Sequence, residues 1–475
     1  MSSESTLQSQ SRELDETSLK YMLKLSAPMV ISTISFTVMQ FVDRFMVSRL
    51  GTNELAAILP AGFVSFIPGA FAIGVGTAVT TFVSQSLGRG EKKDCSNYCW
   101  QAMYMGLAYF AVVIAVVWPT APLIFKMMGH EQAVAELEVI YLRIMLYAQF
   151  LAVFIWVSSQ FFMGIHRPII TMYAALCGQV VNVAANYVLI FGKFGFPAMG
   201  IAGAAWGTLI GIVVGAVIRM AMFLGGDINS EFKSRQMARL DFGRMRDLLK
   251  VGVPAGFELM LNVALWGTVL FWLVGGFGKE AMAATSAVLA CTNVSVMPIV
   301  GVKIALSAAV GKAIGAGRKE AAVKQTQVCL KVALVYVGLI GICFFVFREA
   351  IMMFWSSDDK VIETGAKILV LAVVYQIFQA VRTVYSGLLR GAGDTLWPAV
   401  VSALAAVIIL WLGGILIVEF LPVLGAFGPW IAATVSIIAV ALANRWRFRS
   451  NSWMQIDLFK RRVVTAVVEN EAVVE

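Results

Sequence analysis

The sequence predicts an all-α polytopic membrane protein of twelve transmembrane helices arranged as two parallel six-helix repeats. Three observations predict it: the composition, the alternation of apolar runs with short polar breaks, and landmarks that recur at one fixed offset. Of 475 residues, 59% are hydrophobic and 14% charged, against about 25% charged in an ordinary soluble domain, and the mean hydropathy is +0.82. The bilayer is the main solvent of such a chain, and no room is left for a soluble catalytic domain.

A helix crosses the hydrocarbon core with roughly 20 mostly apolar residues. Apolar runs and breakers place segments at 24–48, 55–86, 97–119, 136–162, 169–191, 200–224, 250–275, 282–311, 327–348, 362–388, 397–418 and 426–444. They divide the chain into an N-terminal tail (1–20), an N-lobe of helices 1 to 6 (21–225), a linker (226–249), a C-lobe of helices 7 to 12 (250–446) and a C-terminal tail (447–475). Met1 to Lys20 is polar and mixed in charge, without the basic start and apolar core of a secretory signal, so it is expected to stay uncleaved in the cytoplasm.

From that start the even-numbered loops are cytoplasmic. They hold the basic clusters: Arg89, Lys92 and Lys93; Arg167 beside His166; Lys233 to Arg246; Lys312 to Lys324; and Arg390, with more in the tail after Arg445. Acids collect in the opposite loops, at Glu131 to Glu138 and Ser356 to Glu363. That asymmetry is the positive-inside pattern. It predicts a multi-pass inner-membrane protein with both termini cytoplasmic, and it explains 37 Lys and Arg against 28 Asp and Glu without a nucleic-acid partner.

Gly51, Gly88 and Gly164 recur as Gly278, Gly315 and Gly391, each 227 residues on, in similar local contexts, and Pro28 returns at Pro254. Six helices is an even number, so the halves share one orientation and are related by an axis along the membrane normal. A cleft between them is the expected substrate route. Pro68 and Pro298 lie at similar positions in helices 2 and 8 and are expected to interrupt them, as hinges or through packing alone.

Five stretches carry a family resemblance: Phe41-Val42-Asp43 followed by Leu50-Gly51; Gly88-x-Gly90; Asn182 with Asn186; Gly203-Ala204-Ala205-x-x-Thr208; and Leu389-Arg390-Gly391-Ala392-Gly393-Asp394-Thr395. In this order, over nearly the whole chain, they resemble the multidrug and toxic compound extrusion (MATE) family, in its bacterial NorM/DinF-like branch. The resemblance implies a V-shaped, monomeric exporter that uses a proton or sodium gradient to expel small organic compounds, often cationic and drug-like. A lipid-linked sugar, moved by a flippase, or one specific endogenous metabolite is the alternative cargo. No enzyme is expected, because HExxH, GxSxG and GxxxxGK[ST] are all missing, and no cofactor beyond the coupling ion, H+ or Na+.

Charge inside a span is costly and marks function by default. Asp43 lies roughly 7 Å below the outer end of helix 1, and Asn186 on helix 5 reaches nearly the same depth. Asn182 falls one turn deeper, with Thr208 of helix 6 beside it. A carboxylate among neutral amides and a hydroxyl suits a proton or a sodium ion at Asp43. The competing expectation is a pair between Asp43 and Arg44, although neighbours on a helix point about 100° apart.

By the family pattern, acids are expected where this chain has Asn186, Asn262 and Gln379, and Glu258 stands one turn before Asn262 in their stead. Glu258, Lys303, Gln379 and Arg382 fall at one depth in the C-lobe, and Glu258 is expected to pair with Lys303 or Arg382, either to neutralise buried charge or to act in coupling. Met39, Trp266, Tyr375 and Phe378 are candidates for the cleft wall. Coupling is therefore expected in the N-lobe, with protons favoured over sodium. The cysteines (Cys95, Cys99, Cys177, Cys291, Cys329 and Cys343) read as small packing residues, and His130 and His166, in predicted loops, are too solitary for a metal or catalytic assignment.

Overall fold

In a computed structural model of the chain, residues 16–459 are described, apart from the side chains of 52, 55, 59, 264–269 and 271. The described residues are all helical or loop. The N-terminal set is α1 (Leu19–Ser48), α2 (Thr52–Gly88), α3 (Lys92–Met127), α4 (Gln132–Gly164), α5 (Pro168–Phe191) and α6 (Gly200–Phe223). The C-terminal set is α7 (Phe242–Gly275), α8 (Lys279–Gly315), α9 (Lys319–Val346), α10 (Asp359–Ala392), α11 (Leu396 to Phe420) and α12 (Phe427–Arg449). Eleven helices among the described residues are long and apolar enough to cross a membrane. The twelfth is α7, whose described residues carry Arg244, Arg246, Asp247, Lys250 and Glu258.

Most helices are longer than the apolar runs that predict them, because polar ends continue past the hydrocarbon. α7 begins eight residues before 250, where the Asp241 carboxylate accepts from the Arg244 backbone N–H at 2.9 Å, an N-cap that satisfies an otherwise orphaned donor. α10 begins in the same way on Asp358 and runs through Arg390, so that arginine belongs to a helix rather than to a loop. Two short helices, Gly226–Phe232 and Arg348–Trp355, lie in the connections. Contrary to expectation, α2 and α8 continue unbroken over Pro68 and Pro298. The irregular helix is α11, which widens into π-helical turns over Ala405–Leu412.

Buried apolar side chains show how the two sets meet. We call the end of the bundle where α1 begins and α12 finishes the basic face, and the other end the acidic face. Towards the acidic face the cores are separate. One joins Val47, Ala57, Phe125, Leu142 and Ile201 within α1 to α6, the other Leu270, Ala284, Ile368, Leu410 and Trp430 within α7 to α12. Towards the basic face the cores cross between sets: Met22, Leu25 and Met29 of α1 pack with Ile299, Leu306 and Val310 of α8, and Leu248 and Val251 of α7 join Phe82 and Phe161.

The seam is drawn tight by backbone-to-backbone contact at glycines. A Cβ on Gly74 of α2 would stand 2.5 Å from the Ala255 carbonyl of α7, and one on Gly315 of α8 only 2.1 Å from the Gln85 carbonyl of α2. Only glycine allows helices to approach so closely. The first and last described residues also cross over. Glu16, before α1, binds Lys312 and Arg318 of the C-terminal set, each at 2.7 Å. Phe459, after α12, packs edge-on to Phe82 of α2 beneath the Arg89 guanidinium, 4.4 Å from its ring centre. The two sets are thus packed together at the basic face, while towards the acidic face each keeps its own core.

Candidate functional site

The N-lobe site arises from close packing of α5 on α6. Gly207 of α6 has no room for a side chain, since a Cβ there would be 2.0 Å from Asn186 Oδ1. That gap lets Asn186 sink fully into the lobe and reach α1, where its Nδ2 donates to Asp43 Oδ1 at 2.7 Å. One turn deeper, Asn182 Nδ2 donates to Thr208 Oγ1 at 3.3 Å, and that hydroxyl donates in turn to the Ala204 carbonyl at 3.0 Å. All four residues named from the sequence therefore stand in two linked pairs on three helices. Asp43 bonds to Asn186 rather than to Arg44, whose side chain is exposed.

Two further facts define its chemistry. No ion pair among the described residues includes Asp43. In addition, Oδ1 of Asn186 and Oδ1 of Asn182 are buried without a hydrogen-bond partner. A buried acceptor without a donor costs about 1–3 kcal/mol, and two such oxygens stand here on adjacent turns of α5. No group of three or more His, Cys, Asp or Glu able to hold a metal occurs among the described residues.

The C-lobe layer is built differently, and here one expectation is corrected. Glu258 of α7 pairs with Arg390, at 2.8 Å, and not with Lys303 or Arg382. Arg390 is buried at the end of α10 and reaches inward along it. Its second Nη also lies 3.3 Å from Thr77 Oγ1 on α2, while its own carbonyl accepts from Thr81 Oγ1 at 2.8 Å and the Gly391 carbonyl from Gln85 Nε2 at 2.9 Å. The Glu258–Arg390 pair thus sits on the seam that closes the basic face. Sequence reasoning missed Arg390 as a site residue because it counted the residue among loop cations. Its place in the Leu389-to-Thr395 motif was the available signal.

Arg382, two turns from Arg390, donates to Asn262 Oδ1 at 3.0 Å and to Gln379 Oε1 at 3.3 Å, and Asn262 Nδ2 is anchored on the Glu258 carbonyl at 2.6 Å. Lys303 of α8 is half-buried beside this cluster, its backbone facing Gly387 of α10. Of the proposed wall residues, Tyr375 packs edge-on to Trp430 with ring centres 6.2 Å apart, Phe378 and Met39 are half-buried, and the Trp266 side chain lies outside the described residues.

Other readings change as well. Cys95, Cys99 and Cys329 are buried in cores, whereas Cys177 and Cys343 are exposed. Each histidine has a hydrogen-bond partner: His130 Nδ1 lies 2.8 Å from the fully buried Glu138 carboxylate, and His166 Nδ1 lies 2.7 Å from the Tyr21 hydroxyl with Nε2 3.2 Å from the Ala308 carbonyl.

The MatE family profile matches the chain twice, over residues 28–188 and 254–414, starting each time at one of the paired prolines. A probable multidrug resistance protein NorM of Halalkalibacterium halodurans is 26% identical over 438 residues, covering 90% of this chain and 94% of that one. A protein of the same name from Shewanella oneidensis is 27% identical over 466 residues, covering 96% and 98%. Among solved structures, one described as the outward-facing conformation of a multidrug resistance MATE family transporter superposes with a TM-score of 0.85 at 20% identity, covering 94% of this chain and 99% of that one. Two family matches in one chain, on a fold shared from end to end, make this protein a member of the MATE family: a membrane transporter of two six-helix repeats, and not an enzyme.

Proposed function

We propose that this protein is a secondary antiporter, acting as a monomer in the cytoplasmic membrane, that exports small organic compounds by alternating access in exchange for protons or sodium ions. The observation that carries the reading is Asp43, a carboxylate inside the N-lobe bonded to an amide, with no cation paired to it and two orphaned amide oxygens on neighbouring turns. Such a group relieves its burial by taking up a proton or a cation, and the bound and empty forms differ by one charge. That charge difference gives a coupling ion something to act on. The basic face is the cytoplasmic one, by its arginines and lysines; the shared cores there and the separate cores opposite suit a cleft that opens outward. Relatives bearing multidrug resistance names point to organic cargo.

The test is efflux from proteoliposomes loaded with a fluorescent organic cation, under a proton gradient and a sodium gradient applied separately. Asp43→Asn is expected to lose gradient-driven efflux by about tenfold or more, the equivalent of 1.4 kcal/mol, under whichever gradient drives the unaltered protein. Full retention of driven efflux would overturn the assignment.

A further inference from the structure

The charges in the C-lobe layer do not balance. Its three cations, Lys303, Arg382 and Arg390, face one acid, Glu258, and that acid is already engaged by Arg390. The balance is also uneven in space: Glu258 and Arg390 are only 5% and 7% exposed, whereas Lys303 and Arg382 are half-buried. An arginine is charged at any working pH, and a charge this deep is retained where a cavity or a ligand receives it.

Arg382 is also held in the posture of a ligand-binding arginine. A guanidinium has five N–H donors in one plane. Two are spent on the neutral oxygens of Asn262 and Gln379, which cancel none of its charge, and three remain. Asn262 is itself fixed to the Glu258 carbonyl, so the plane of the fork is set from behind. Phe378 stands one turn from Arg382 on the same face of α10 and is half-buried, an apolar surface beside the free donors.

We propose that the C-lobe wall of the cleft binds an organic carboxylate: Arg382 receives the oxyanion side-on, Lys303 adds a second charge, and the apolar body of the compound lies against Phe378. The assignment rests on the transport reading above and names its cargo class, an aromatic or apolar compound bearing at least one carboxylate. The two lobes then divide the work, with the cation on the acid of the N-lobe and the exported oxyanion on the surplus cations of the C-lobe.

The experiment measures fluorescence anisotropy of purified protein with carboxyfluorescein, and with a cationic rhodamine ester of the same ring system. The expected result is that carboxyfluorescein binds and is displaced by benzoate, that Arg382→Gln weakens it by about tenfold or more, and that Arg382→Lys retains part of the affinity. Lys303→Gln weakens it less, and none of the three changes lowers the melting temperature. Carboxyfluorescein binding that is unaltered in both Arg382→Gln and Lys303→Gln would overturn the proposal. So would displacement by phosphatidylglycerol but not by benzoate, which would make the site one for lipid headgroups. The parent reading fails separately: Arg382-dependent binding without gradient-driven efflux of any probe would refute antiport and leave the carboxylate site standing. Driven efflux of the rhodamine without that binding would do the reverse.

Discussion

The two lobes share a fold and differ in the chemistry they bury. In the N-lobe site the acid, Asp43, meets a neutral amide, and the polar set lies on α1, α5 and α6. In the C-lobe one acid faces three cations, and the arginine of its salt bridge also donates across the seam to Thr77 of the other lobe. Duplication has kept the helices and let the charges diverge. One lobe holds a carboxylate with no ion-pair partner among the described residues, while the other holds a salt bridge whose arginine also touches the facing lobe.

The first way to break this comparison is on stability, where the lobes should respond unequally to the same change. Glu258→Gln strands the buried Arg390 guanidinium and should cost about 3–5 kcal/mol, seen as a lowered melting temperature. Pairing it with Arg390→Met should recover most of that loss, because both charges are then gone. Asp43→Asn strands no cation and should melt close to the unaltered protein. Equal destabilisation by Glu258→Gln and Asp43→Asn would erase the distinction.

A second test works on the seam. Gly74→Ala places a Cβ 2.5 Å from the Ala255 carbonyl and should cost about 1–3 kcal/mol of the closed state, read as longer distances between spin labels on α2 and α7 at the basic face. Gly62→Ala, on the same helix nearer the acidic face, meets nothing within 4 Å and should leave those distances unchanged.

Acidity should act on the same seam more gently. Burial, helped by the charge of Lys312, pushes the His166 imidazole down to about 4 from an ordinary value near 6.5. If opening restores the ordinary value, the seam is at full strength above pH 6.5 and loosens as pH falls towards about 4. His166→Gln should remove that window. What acid sensitivity remains belongs to Glu16: burial works against its charge, yet Lys312 and Arg318 hold its carboxyl below the usual range, so its contribution is lost only at lower pH. The smallest effect should be that of Glu16→Gln itself at neutral pH, at most about 1 kcal/mol for a partly exposed bridge.

Much of this was legible in the sequence. The repeat was visible because glycines and prolines that fix helix ends and close contacts recur at almost one spacing. The Asp43–Asn186 contact was visible because both residues stand five positions before the end of their helices, Ser48 and Phe191, at the same face. The partner of Glu258 was not. Apolar boundaries fall short of the true ends of α7 and α10, because α7 starts in polar residues before 250 and α10 runs on past 388 to Ala392. Arg390 therefore counted as a loop cation, although its long side chain turns back along α10 into the bundle. The orphaned amide oxygens and the crossed contacts of Glu16 and Phe459 depend on packing between distant segments, which no local pattern records.

The central claim is that coupling belongs to the N-lobe acid alone. It is tested most directly by driven efflux of one fluorescent substrate from matched proteoliposomes of Asp43→Asn and of the Glu258→Gln, Arg390→Met double variant. The account predicts that Asp43→Asn loses the response to the gradient while the double variant keeps it at a reduced rate. A gradient response that survives in Asp43→Asn and vanishes in the double variant would contradict it.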